Sequence, residues 1–193
     1  SKNDSDKLAV ALGKKYGIRT VLVLPSAMVG AIAFKLSYSN NLVLQVLNGE
    51  IPVDTSVTLN WVDVKDVALG MYNAMTKGRD GERYILANET HTTLQESVKI
   101  AADLYPELKL KMPKKVPKWL LYGVAGLMEF SSKLTGKEPL LQRHYLDMFY
   151  GLKQDYDIRN SREELGFNPK SSKKALEDAL AYLKKDWKEQ NAI

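Results

Sequence analysis

Gly17-Ile18-Arg19-Thr20-Val21-Leu22-Val23-Leu24-Pro25 is the stretch on which the fold turns. Thr20 to Leu24 is a run of β-branched and leucine residues without polar alternation, and Pro25 closes it. A strand of that kind is expected in a parallel sheet with both faces covered. Upstream, Leu8, Leu12 and Tyr16 recur at i, i+4 and i+8 with Ala9 and Ala11 beside them, which predicts a helix over 5–16. Gly17 follows as a helix-ending glycine. Helix, glycine, short apolar strand and loop make half of a doubly wound α/β unit.

Working outward, 26–57 reads as loop-rich with a short helix around 42–47. A strand is expected over 58–64, a helix over 66–75, a turn at 78–81 and a strand over 83–87. Strand, helix, strand in that order implies a right-handed crossover. Thr93 followed by Glu96 is a capping box that opens a helix to Leu104. Beyond Pro106 the pattern is helical: 116–134, a helix entered at Pro139 and running to about Tyr150, and 160–165 ended by Gly166. Ser171 or Ser172 caps a last helix with Leu176, Leu180, Leu183 and Trp187 on one stripe. No internal repeat or low-complexity linker separates the two halves.

Composition narrows the functional classes. The chain has 193 residues, 45% of them apolar and 26% charged, a soluble globular balance. The longest apolar stretch, Val116 to Phe130, is interrupted by Lys118 and Glu129 and suits a buried or interfacial helix, not a span of about 20 residues. Ser1-Lys2-Asn3-Asp4 shows no signal-peptide pattern. Without cysteine there is no disulfide, thiolate metal site or cysteine nucleophile, which fits a reducing cytoplasm. His91 and His144 are too far apart in sequence to suggest a metal pair. The net charge is +5, with Lys109, Lys111, Lys114, Lys115 and Lys118 in one tract. No stacking aromatics interleave with those lysines, so the tract reads as a solvated face and not as a nucleic-acid site. There is no Gly-x-Gly-x-x-Gly, phosphate loop or metal cluster, and the residues alone define an α/β domain without a complete active site.

Five segments, in order, carry a resemblance. Ser1-Lys2-x-x-Ser5-Asp6-Lys7 resembles the end of a Tyr-x-x-Ser-Lys motif, followed by the helix, the buried strand and Pro25-Ser26-Ala27-Met28-Val29-Gly30. Asn60-Trp61-Val62-Asp63-Val64-Lys65-Asp66-Val67-Ala68 resembles a Phe-Val-x-Val-x-Asp-Val-Ala signature. Gly81 to Leu86 and Asp157-x-x-x-Ser161-Arg162-x-Glu164-Leu165-Gly166-Phe167-x-Pro169 complete the series. Together they resemble the extended short-chain dehydrogenase/reductases, the NAD-dependent epimerase/dehydratase superfamily. Pro25-Ser26 without a preceding arginine and Gly136-Lys137-Glu138-Pro139-Leu140 lean toward the dihydroflavonol reductase and 3β-hydroxysteroid dehydrogenase-like branch.

The resemblance implies the C-terminal part of a Rossmann-like, doubly wound parallel sheet, with interleaved substrate-side segments, over 1–105. It implies a mainly helical substrate-binding region over 106–193. In such enzymes a tyrosine phenolate moves the proton at the substrate's hydroxyl or carbonyl. Free tyrosine has a pKa of about 10, and a lysine ammonium favours its phenolate while hydrogen-bonding the nicotinamide ribose. Lys2 would hold that role. Pro25, Ser26, Ala27 and Met28 would wall the nicotinamide of NAD or NADP at the carboxyl end of a strand. Asp66 is expected to be structural at a helix N-terminus, Trp61 to be core, and Trp119 to Tyr122 to be packed, the alternatives for the last being an apolar substrate pocket or a membrane-facing surface.

The tyrosine would stand three residues before Ser1, and the glycine-rich loop further upstream. The sequence as it stands is therefore expected not to transfer hydride alone. Its strands are expected to need cover, from a second copy or from the missing N-terminal half. The expected function is an NAD(P)-dependent oxidoreductase of a small or medium apolar alcohol or ketone. The alternatives are a nucleotide-sugar epimerase or dehydratase, and a non-catalytic NAD(P)-binding regulatory or assembly protein. The expected partners are a small-molecule substrate and the same chain in a homo-oligomer, with no nucleic acid and no membrane span.

Overall fold

The computed structural model describes residues 2–31, 36–135 and 143–187. In chain order the elements are α1 (Lys2–Tyr16), β1 (Leu22–Pro25), β2 (Ala27–Val29), α2 (Tyr38–Leu47), β3 (Val53–Asp54), β4 (Thr58–Leu59), β5 (Trp61–Asp63), α3 (Val64–Lys77) and β6 (Arg83–Leu86). There follow β7 (Thr92–Thr93), α4 (Leu94–Leu104), a 3-10 turn (Pro106–Leu108), β8 (Lys114–Lys115), α5 (Lys118–Thr135), α6 (Arg143–Phe149), α7 (Arg159–Leu165), α8 (Ser172–Tyr182) and a terminal π-turn (Leu183–Trp187). They divide into two compact units: Ser1–Val43, Asn60–His91 and Asp155–Ile193 form the first, Leu44–Leu59 and Thr92–Gln154 the second.

The first unit holds two parallel strand pairs. β1 lies beside β6, with Leu22 opposite Arg83 and Pro25 opposite Leu86. β2 lies beside β5, from Ala27 opposite Trp61 to Val29 opposite Asp63. α3 connects β5 to β6, so the Pro25–Ser26 step on one side is matched by a helical connection on the other. α8 covers β5 and β2, and α7 packs on β6 and α3. The core is Val62, Val67, Ala74, Tyr84, Leu86, Ala87, Ile158, Leu165 and Phe167. Trp61 is buried, as are Leu176, Leu180 and Leu183 of the expected stripe. A Cβ on Gly70 would lie 3.0 Å from side chains of Leu86 and Phe167, which would have to give by a few tenths of an ångström to admit it. Gly166 ends α7 at φ +68, and its N–H donates to Arg162 C=O at 3.0 Å, as in an αL cap.

Three strand expectations are corrected. β1 begins at Leu22 because the Thr20 backbone is taken: its N–H donates to the Asp80 carboxylate at 2.8 Å and its C=O accepts from Gly81 N–H at 2.7 Å. Leu22, Val23 and Leu24 are half-buried, not buried on both faces. The single strand expected over 58–64 is two, in different sheets, broken at Asn60. Residues 26–57 are more regular than expected, with β2, β3 and an α2 that starts at Tyr38. Asn40 in α2 brackets Gly30, accepting from its N–H at 3.1 Å and donating to its C=O at 2.8 Å.

The second unit has β3 parallel to β8 and β4 antiparallel to β7. The Thr93–Glu96 capping box is present at the start of α4. Leu121, Ala125 and Leu146 form a small core with Val53, Val116, Tyr122 and Tyr150 against it. Trp119 and Leu120, expected to be packed, are exposed, while Leu121 next to them is buried. The Gly136–Leu140 segment and the helix start at Pro139 lie outside the described residues. Among the described residues, no helix is long and apolar enough to cross a membrane.

Candidate functional site

The carboxyl end of β1 is the candidate site. In open parallel sheets, ligands meet the loops that follow the strand ends. Pro25 and Met28 are exposed there, and Ser26 and Ala27 half-buried.

This strip is held from behind by two buried asparagines. Ser26 N–H donates to Leu86 C=O at 3.2 Å and Ala27 N–H to Asn60 C=O at 3.1 Å. The Ser26 hydroxyl donates to Asn60 Oδ1 at 2.9 Å. Asn60 Oδ1 also accepts from Asn88 N–H at 2.8 Å, and its Nδ2 donates to the carbonyls of Asn88 at 2.8 Å and Thr90 at 3.3 Å. Asn88 Nδ2 in turn donates to Trp61 C=O at 2.8 Å and Lys170 C=O at 2.9 Å. A backbone N–H can only donate and a carbonyl only accept, so both amides have one orientation. The Ser26 hydroxyl is consequently a donor to the network.

A charged clamp sits at the end of β5. Asp63 caps α3, accepting from Lys65 N–H at 2.7 Å, and its other oxygen accepts from Lys170 Nζ at 2.9 Å. Lys170 Nζ also donates to Asp178 at 2.9 Å, and Lys170 N–H to Asp66 at 3.0 Å. Hydrogen bonds to Asp63 and then Asp178 raise the Lys170 ammonium well above the ordinary lysine range. Burial pushes Asp178 upward, but hydrogen bonds from Lys170 and Lys174 overrule it and its carboxyl lies below the usual range. Asp66 is in the first turn of α3, where a carboxylate is favoured.

A third cluster ties α7 to β6. Arg79 donates two bonds to Glu164, at 2.9 and 2.7 Å, and the buried Tyr84 hydroxyl donates to the same carboxylate. The Arg79 and Tyr84 hydrogen bonds hold Glu164 below the usual carboxylate range.

Lys2 is exposed in the first turn of α1. That helix is fastened by Arg83 to Asp6 at 2.9 Å and by Gly13, whose site has no room for a Cβ beside Thr20. Of the residues expected in the site, Pro25, Ser26, Ala27 and Met28 fall in one accessible strip. Asn60 and Asn88, which brace the candidate strip, were assigned no role by sequence reasoning. A polar amide inside an otherwise apolar strand pattern, as in Leu59-Asn60-Trp61-Val62, was the available signal.

No family model matches the chain. A putative dihydroflavonol 4-reductase of Synechocystis is 31% identical over 174 residues, 88% of this chain and 49% of that protein. Sterol demethylase protein B of Methylococcus capsulatus is 27% identical over 179 residues, 91% of this chain and 53% of that protein. The chain thus spans about half the length of the curated relatives it matches. Among solved structures, that of gox2253 superposes with a TM-score of 0.70 at 27% identity, over 94% of this chain and 54% of that one. The Bordetella bronchiseptica enzyme WbmF, solved with NAD+ and UDP, shares the fold with a TM-score of 0.63 at 15% identity, over 94% of this chain and 51% of that one. The homologues and structural neighbours of the chain are extended short-chain dehydrogenase/reductases, members of the NAD-dependent epimerase/dehydratase superfamily that include dihydroflavonol reductase-like proteins.

Proposed function

We propose that the chain is the C-terminal half of an NAD(P)-dependent reductase or dehydrogenase acting on the alcohol or ketone of a small or medium apolar substrate. The observation that carries this reading is the accessible Pro25–Met28 strip at the end of a parallel strand, braced by Asn60 and Asn88, downstream of a helix opened by Lys2. The strip suits a planar carboxamide. Ser26 and Ala27 have already given their N–H groups. Alternate strand residues turn N–H and C=O to the same edge, so Met28 turns its own pair away from β5. Lys2 supplies the cation that favours a tyrosine phenolate and binds the nicotinamide ribose. The cofactor, NAD or NADP, supplies the hydride acceptor or donor when bound. On this reading residues 1–105 complete the cofactor-binding sheet and carry interleaved substrate-side segments, and 106–193 are mainly substrate-binding. The same reading has the whole protein act in the cytoplasm as a homo-oligomer.

A nucleotide-sugar epimerase or dehydratase is the second reading, supported by structural neighbours such as WbmF with its bound UDP. The test is to extend the protein upstream and assay NAD(P)H turnover with apolar ketones and with UDP- or dTDP-sugars. Ketone reduction that is lost on Lys2→Met supports the first reading, and sugar turnover without net reduction replaces it with the second. A residue other than tyrosine three positions before Ser1 would sink both.

A further inference from the structure

From Trp119 to Phe130 the outward face of α5 is apolar. At 3.6 residues per turn, Trp119, Gly123 and Leu127 align, with Phe130 and Leu120 beside them. Their faces oppose Leu121 and Ala125, the residues the helix buries. Trp119 is 74% exposed, Leu127 72% and Phe130 64%. Lys118 and Glu129, the charged residues described on this helix, lie toward its buried side: Lys118 Nζ sits 5.3 Å from the Tyr122 ring and Glu129 pairs with Arg143. A surface helix ordinarily reverses this arrangement, with polar residues outward. Contiguous exposed apolar surface of this kind marks an interaction site.

The chain leading into the helix identifies the occupant. Lys109, Lys111, Lys114 and Lys115 are all exposed, Met112 is exposed between them, and Lys115 stands four residues before Trp119. Basic residues beside a helix face of tryptophan, leucine and phenylalanine are the signature of a segment lying in a bilayer interface. A second copy of the chain fits less well. A two-fold contact sets the same patch against itself, and the patch as described offers no carboxylate to the lysines.

We propose that the outer face of α5, with the lysines that precede it, docks on an anionic lipid surface, the helix lying in the interface plane and not crossing it. The aromatic and leucine side chains enter the acyl boundary, and the ammonium groups meet lipid phosphates. This inference does not depend on the proposed enzymatic activity.

The test is flotation of the chain with vesicles of phosphatidylcholine, with and without phosphatidylglycerol. The chain should float with the mixed vesicles and not with phosphatidylcholine alone. Trp119 emission should shift to the blue and be quenched by brominated acyl chains, with Trp119→Phe as the reference for the other tryptophans. Trp119→Ser with Leu127→Ser should abolish flotation. Each of Lys111→Gln, Lys114→Gln and Lys115→Gln should weaken partitioning about fivefold. These side chains are exposed, so the variants should keep the circular dichroism of the parent. Absence of flotation, flotation indifferent to these substitutions, or a concentration-dependent dimer lost in Leu127→Ser would each overturn the proposal.

Discussion

At the residue scale, Asn60 does the work of several backbone groups. It satisfies the Ser26 hydroxyl, the Asn88 N–H and two carbonyls in a buried place. Asn60→Ala leaves these without partners, at a cost of about 3 kcal/mol, since each orphaned buried group costs roughly 1–3. Urea denaturation should show this as a lower midpoint, and Ser26→Ala should cost about 1 kcal/mol. Lys170→Met strands the buried Asp63 carboxylate and should cost about 2 kcal/mol by the same measurement. Glu164 adds a pH dependence. Its folded pKa is depressed, so its contribution is present above the unfolded value of about 4.3 and is lost as pH falls through the folded value. Stability should be flat from pH 7 to about 5.5 and decline below about 4.5. Glu164→Gln should flatten part of that decline.

At the element scale, α3 illustrates how closely sequence and space are matched. Gly70→Ala gains helix propensity of about 1 kcal/mol but drives a methyl into Leu86 and Phe167, an overpacking cost of about 1–3 kcal/mol. A net loss of about 1 kcal/mol in thermal unfolding is expected. Local signals made such elements legible. The Thr93–Glu96 box, Gly166 and the leucine spacing of α8 each depend on contacts within a few residues, and each appears where the sequence placed it. The break at Asn60 and the short strand β2 were not legible. They depend on partners 28 or more residues away in sequence, such as Asn88, to which no local pattern points. The outward side chains of α5 were misread for the related reason that periodicity reports an apolar residue and not which face of its helix is covered. The candidate strip Pro25–Met28 was readable from its proline and its preceding strand, whereas its asparagine brace required the fold.

At the scale of the whole molecule, apolar surface left open on the first unit is the dominant feature. Leu8, Leu12 and Tyr16, the residues that marked α1 in the sequence, are exposed, and so are Leu69, Tyr72 and Met75 on α3. β1 has one described neighbour, β6. A half-buried apolar strand with an open edge is a template for association. Light scattering on the chain alone should therefore show self-association, and a freely soluble monomer at high concentration would contradict the proposed loss of covering segments. The most direct measurement concerns the reading of the chain as half of an oxidoreductase. NAD(P)H turnover should be assayed in the protein extended upstream of Ser1, with and without Lys2→Met. The expected result is turnover that falls about 100-fold or more in kcat in the variant, with unfolding unchanged. Turnover indifferent to Lys2, or none with any carbonyl or nucleotide-sugar substrate in a protein that folds, would contradict it.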